Sequence, residues 1–143
     1  MKVIRFDHIT IAVHNLDEAI ATFTRLFNLE ARDRRKVENM GIENVFLPFG
    51  DGAIELVEQL EEPGSPDYVK RFLERKGEGM MNLCLTVEDV DGAAAHLEGC
   101  GARVVRHQDA DGAMIAMVHP KDTHGVMIEV RSGKRPIRDN QAE

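Results

Sequence analysis

His8, Asn82, Glu55 and Glu129 could together bind a metal ion, and their spacing follows one rule. His8 and Asn82 are 74 residues apart, and so are Glu55 and Glu129. Two carboxylates, an imidazole and an amide oxygen suit a hard or borderline divalent ion, Co, Mn, Zn or Mg, with positions left open for substrate oxygens. The offset extends beyond these four. Phe6-Asp7-His8-Ile9-Thr10-Ile11-Ala12-Val13 lies over Met80-Met81-Asn82-Leu83-Cys84-Leu85-Thr86-Val87, and Ile54-Glu55-Leu56 lies over Ile128-Glu129-Val130. Leu16, Ala19, Ile20 and Phe23 likewise land on Val90, Ala93, Ala94 and Leu97. A duplicated unit folding into two similar halves would carry the four candidate ligands to symmetry-related places. Each is flanked by apolar residues, such as Ile9 beside His8 and Ile128 and Val130 beside Glu129. Side chains alternate along a strand, so the apolar neighbours face a helix-covered core and the polar four share the opposite face.

The elements that must position them can be read from the same pattern. Residues 6 to 13 alternate with period two, as a strand does. Asn15 then stands as an N-cap with Glu18 three residues on, and apolar residues at 16, 19, 20, 23, 26 and 27 give a helical stripe. Strands follow at 29 to 37, 42 to 48 and 53 to 58, the last two joined by Gly50-Asp51-Gly52, which makes module one βαβββ. A linker from Glu61 leads to a short helix, with Ser65 as its cap, Pro66 in its first turn and Gly77 at its end. Module two repeats the order with a strand at 80 to 87, a helix at 90 to 98 and strands at 102 to 107, 113 to 118 and 125 to 131. The expected domain is therefore α+β: two fused βαβββ modules, about 4–60 and 79–131, forming a curled mixed sheet around a metal and substrate cleft. The polar, patternless stretch from Ser132 is expected to be a mobile tail.

Composition narrows the function classes. A net charge of −7 provides no basic footprint for nucleic acid or an anionic membrane surface. The run Arg32-Asp33-Arg34-Arg35-Lys36 is interleaved with acid and reads as a solvated strand edge. Apolar runs fall far short of a spanning helix and no signal-peptide core is present, so a soluble, cytoplasmic protein is expected. Cys84 and Cys100 make no disulfide framework, and Cys84 reads as a small packing residue on a strand.

From residue 4 to 131 the chain resembles the vicinal oxygen chelate superfamily, and within it most closely the methylmalonyl-CoA epimerases. The resemblance rests on Asp7-His8-Ile9-Thr10-Ile11-Ala12-Val13, on Phe46-Leu47-Pro48 followed by Ile54-Glu55-Leu56, on Ser65-Pro66 with Phe72 to Gly79, and on His119-Pro120-Lys121-Asp122-Thr123-His124-Gly125 leading to Ile128-Glu129. It implies His8, Glu55 and Glu129 as metal ligands. Asn82 stands where those enzymes carry a ligating His. Glu43, five residues before Pro48, falls where some of them have a carboxylate base, so Glu43 and Glu129 become the acid/base candidates for epimerising a small acyl-CoA through a metal-stabilised enolate. Lys121 and Arg131 are candidates for contacts to the CoA phosphates, and a homodimer is the family expectation. Two other readings share the site: a glyoxalase-like lyase, and a metal-free small-molecule binding protein favoured by Asn82.

Overall fold

The computed structural model of the chain describes residues 1–139. The βαβββ order occurs twice. β1 (Val3–Ala12), α1 (Leu16–Phe27), β2 (Arg32–Val37), β3 (Ile42–Phe49) and β4 (Gly52–Gln59) precede α2 (Tyr68–Lys76). β5 (Gly79–Val87), α3 (Val90–Gly99), β6 (Val104–Gln108), β7 (Met114–Val118) and β8 (Met127–Ser132) follow. The repeat extends to the helix caps: Asn15 accepts from the Glu18 N–H at 3.0 Å, and Asp89, 74 residues on, accepts from the Gly92 N–H at 2.8 Å. Each side chain satisfies a backbone donor that the first helical turn would otherwise leave open.

The chain forms two compact units, and their boundary falls inside β1. The module-one unit comprises Ile9–Met81 and the segment from Pro136. Its strands run β2-β3-β4-β1, with Val13, Leu16, Val45, Leu47 and Leu56 as the core under α1. The module-two unit comprises Met1–His8 and Asn82–Arg135. Its strands run β1-β5-β8-β7-β6, and Val87, Val90, Ala93, Ala94, Ala116 and Val130 form the core against α3. β5 and β8 pair in parallel while β6-β7 and β7-β8 pair antiparallel, so the sheet is mixed. Among the described residues no helix is long and apolar enough to cross a membrane.

Two expectations change. α2 begins at Tyr68, not at Pro66, with Asp67 as its cap. Pro66 is held outside the helix because its carbonyl accepts from the Gln59 amide at 2.8 Å. That carbonyl also lies against Gly41, whose φ is +70° and whose added Cβ would sit 2.1 Å from it. Gly41→Ala should therefore combine left-handed strain with a backbone clash and cost about 2–4 kcal/mol in urea unfolding; a loss below 1 kcal/mol would mean that the Pro66 turn yields easily. The tail is also anchored. Ser132 belongs to β8, Arg135 is buried with its N–H donating to Asp7 at 3.1 Å, and the Arg138 N–H donates to Asp33 at 3.1 Å. Buried carboxylates capture main-chain donors that side-chain patterning does not reveal. Residues 140–143 of the expected tail lie outside the described residues.

Candidate active site

In the module-two unit the register defines the sheet face turned away from α3. On β5 and β8, Asn82 pairs with Met127, Cys84 with Glu129 and Thr86 with Arg131, while Leu85 and Val130 turn toward α3. β7 adds Ile115 and Met117 opposite Arg131 and Glu129, and β6 adds Val105 and His107 opposite Met117 and Ile115. His8 is 2% exposed and lies between two carboxylates. Its Nδ1 is 2.7 Å from Asp7 Oδ2, and its Nε2 is 3.9 Å from Glu129 Oε2.

Asp7 determines how that imidazole is used. Burial pushes its carboxyl upward, but hydrogen bonds from His8 and from the Arg135 N–H outweigh this and hold it below the usual carboxylate range. An ionised Asp7 can only accept, so Nδ1 carries a proton and Nε2 is the ring nitrogen directed toward Glu129. Behind this pair, burial first and then the charge and hydrogen bond of Glu129 push the Cys84 thiol far above its ordinary value. Ligand-capable atoms of Asp7, His8 and Cys84 lie within 4.8 Å of one another. Asp7 is committed to His8, Arg5 and the Arg135 backbone, and Cys84 stays a neutral thiol, so this trio supports His8 and Glu129.

In the module-one unit Glu55 is buried and held at both oxygens. The Thr10 hydroxyl donates to Oε1 at 2.6 Å and the Asn44 amide to Oε2 at 2.8 Å. The repeat could have revealed the first of these contacts. Thr10 and Cys84 are 74 apart, as are Glu55 and Glu129, so in each half the glutamate faces the side chain that the duplication makes equivalent. Asn44 has no such mate and came only from the fold.

Glu43 is not on the face of Glu55. β3 and β4 pair Phe46 with Glu55 and Glu43 with Glu58, so Glu43 shares the α1 face with Val45 and Leu47. It is ion-paired to Arg34 at 2.7 Å and lines a separate cleft of ≈ 600 Å³ with Glu58, Lys36 and Lys70. Glutamates outnumber lysines on that cleft's walls, which disfavours an anionic substrate there. Glu43 and Glu55 thus lie on opposite faces of the β3–β4 pair. Arg131 is corrected: it is buried and paired with Asp109 at 3.2 Å, so it is not available to CoA phosphates, whereas Lys121 is exposed. The loop carrying Lys121 is fastened by Arg103, which holds Asp122 at 2.8 Å, and by the His119 N–H donating to the Arg103 carbonyl. It thus fixes the entry to β8 and the position of Glu129.

The donor chemistry accommodates a divalent ion. The His8 Nε2 and a Glu129 carboxylate oxygen, both able to bind a metal, stand 3.9 Å apart. This is too long for a hydrogen bond and within the ~4.2 Å that two bonds of about 2.1 Å to one ion can span. Asp7 on the far ring nitrogen is the carboxylate–histidine arrangement that orients a ligating imidazole.

Comparison with known proteins identifies the family and the fold. A family model for the glyoxalase/bleomycin resistance protein/dioxygenase superfamily matches residues 7–117. The ethylmalonyl-CoA/methylmalonyl-CoA epimerase of Cereibacter sphaeroides is 31% identical over 131 residues, 88% of this chain and 96% of that one. A variant of the Streptomyces coelicolor methylmalonyl-CoA epimerase, solved with 2-nitronate-propionyl-CoA, superposes with a TM-score of 0.83 at 28% identity, covering 94% of this chain and all of the other. The Mycobacterium tuberculosis methylmalonyl-CoA epimerase gives a TM-score of 0.81 at 29% identity, covering 94% of this chain and 90% of that one. The α+β architecture of the two βαβββ repeats is thus that of the epimerase structures, and the chain belongs to the methylmalonyl-CoA epimerase family of the glyoxalase/bleomycin resistance protein/dioxygenase superfamily.

Proposed function

We propose that the chain interconverts the epimers of a small branched acyl-CoA at the carbon next to the thioester, with Glu129 as the proton carrier. The observation that carries the reading is the Glu129 carboxylate facing Nε2 of His8, whose ring is held from behind by Asp7. The family membership and the acyl-CoA analogue bound to the Streptomyces relative support the substrate class. In the forward step the α C–H bond breaks, its proton passes to a Glu129 oxygen, and the electron pair delocalises onto the thioester oxygen. A solvent proton returned to the opposite face gives the other epimer, and Glu129 releases its proton to water. This route needs no base at Glu43.

A divalent ion held by His8, Asn82 and Glu129 would supply Lewis-acid stabilisation of charge developing on the thioester oxygen. His8 contributes Nε2, and its ring cannot rotate away without breaking the bond to Asp7. Asn82 would contribute a neutral amide oxygen, a weaker donor than imidazole for borderline metals. Apolar Met117 and Met127, partly exposed on the same face, give the branched acyl chain a dry surface. A cytoplasmic homodimer completes the proposal.

In D2O the metal-loaded protein should exchange the α-hydrogen of methylmalonyl-CoA for deuterium, read by mass spectrometry, because exchange reports enolate formation directly. No exchange with any branched acyl-CoA, alongside isomerisation of a hemithioacetal, would transfer the assignment to a lyase of the same superfamily. Binding of a small molecule without metal, and without turnover of either substrate, would end the enzyme reading.

A further inference from the structure

His96 and Cys100 stand one turn apart at the C-terminal end of α3, and both are exposed. The Cys100 Sγ and His96 Nε2 lie 3.6 Å from each other. A zinc ion with bonds of about 2.3 Å to sulfur and about 2.1 Å to nitrogen, at a tetrahedral angle, sets those two atoms about 3.6 Å apart. The backbone keeps them there. The Cys100 N–H donates to the His96 and Leu97 carbonyls at 3.0 and 3.1 Å, and the Gly101 and Ala102 N–H groups close on the Glu98 and Leu97 carbonyls. Gly101 has a φ of +92°, the left-handed turn that ends a helix, so the last turn is fixed around the pair. A helix C-terminus also carries partial negative charge and favours a cation beside it. Glu98 is held by Arg106, and the donors facing each other are one sulfur and one nitrogen.

We propose that His96 and Cys100 form a metal site of their own, a two-donor clamp for a borderline or soft divalent ion such as Zn2+. On binding, the Cys100 S–H bond breaks, its proton passes to water and a sulfur–metal bond forms, while His96 supplies the electron pair of Nε2. The remaining coordination positions open to water. A sulfur donor discriminates against Mg2+, which takes oxygen ligands. The site is separate from the chemistry at Glu129: Leu85 and Val130 pack against α3, and Glu129 lies on the other face of the same sheet.

Alkylation of Cys100 by iodoacetamide, followed peptide by peptide with mass spectrometry, reads occupancy directly, because a metal-bound sulfur is withheld from the reagent. The chelator-stripped full chain would be compared with and without excess Zn2+. Wild-type Cys100 should react at least about tenfold more slowly with Zn2+ present, and at an unchanged rate with Mg2+. His96→Ala, at an exposed position whose loss leaves the fold intact, should need at least about tenfold more Zn2+ for the same protection, since losing a ligand costs no less than losing a group that supports one. The readout is confined to the Cys100 peptide, so it stands whether or not His8 and Glu129 hold an ion. Equilibrium dialysis adds a second measure: Cys100→Ser should retain less Zn2+ than wild type and keep the wild-type rate of α-hydrogen exchange. Cys100 that reacts as fast with Zn2+ as without it, protection undiminished in His96→Ala, equal protection by Mg2+, or equal Zn2+ content in Cys100→Ser would each overturn the site.

Discussion

Glu129→Gln is expected to slow α-hydrogen exchange by about 10²–10⁴-fold, the range for loss of a positioned proton carrier. The amide is nearly isosteric and its oxygen can still accept from the Cys84 thiol, so the fold should survive while the proton has nowhere to go. The informative comparison is Glu43→Gln. Its carboxylate lies on the α1 face, paired across strands with Glu58 and bound by Arg34, and its loss should leave exchange within about twofold of wild type, since no proton-carrier contribution is removed. Circular dichroism on both variants separates chemistry from unfolding. If Glu43→Gln suppresses exchange as strongly as Glu129→Gln, the register of β3 is wrong and the two-carboxylate mechanism returns.

That contrast marks where the sequence stops being informative. The duplication was legible because its offset recurs in unlike features: the Glu55 and Glu129 pair, the caps Asn15 and Asp89, and the contacts made by Thr10 and Cys84. Strand parity in β3 was not. From Val45 to Leu47 every side chain is buried, so no alternation says which face is which. A shift of one residue exchanges Asn44 for Glu43, and only pairing with β4 decides between them. Asp7 was visible as the neighbour of His8, but its use depends on the Arg135 N–H, more than a hundred residues away. Arg131 misled for a related reason. A charged residue near a strand end reads as solvated, and its partner Asp109 lies on the loop between β6 and β7, with no periodicity to announce it.

Asp109→Ala should be among the most damaging substitutions in the chain, costing about 3–5 kcal/mol, because it leaves buried positive charge without its counter-ion. Arg131 and Arg135 both reach Asp109, at 3.2 and 3.8 Å, and all three are buried. The same carboxylate organises the β6–β7 turn by accepting from the N–H groups of Asp111 at 2.9 Å and Ala113 at 3.0 Å. Asp109→Asn distinguishes the two roles. Its amide oxygen can still accept in the turn, but the charge is gone, so a loss nearly as large as in Asp109→Ala assigns the cost to the ion pairs, and a small loss assigns it to the turn. Urea unfolding of the three proteins, with unchanged m-values as the check on two-state behaviour, gives the comparison. The consequence reaches the site through the backbone: the Arg135 N–H donates to Asp7, and Asp7 holds His8. Loosening residues 131 to 135 should therefore weaken metal retention in protein that is still folded. Full stability in Asp109→Ala would show that solvent can reach Arg131 and Arg135, and this support for His8 would then have to come from elsewhere.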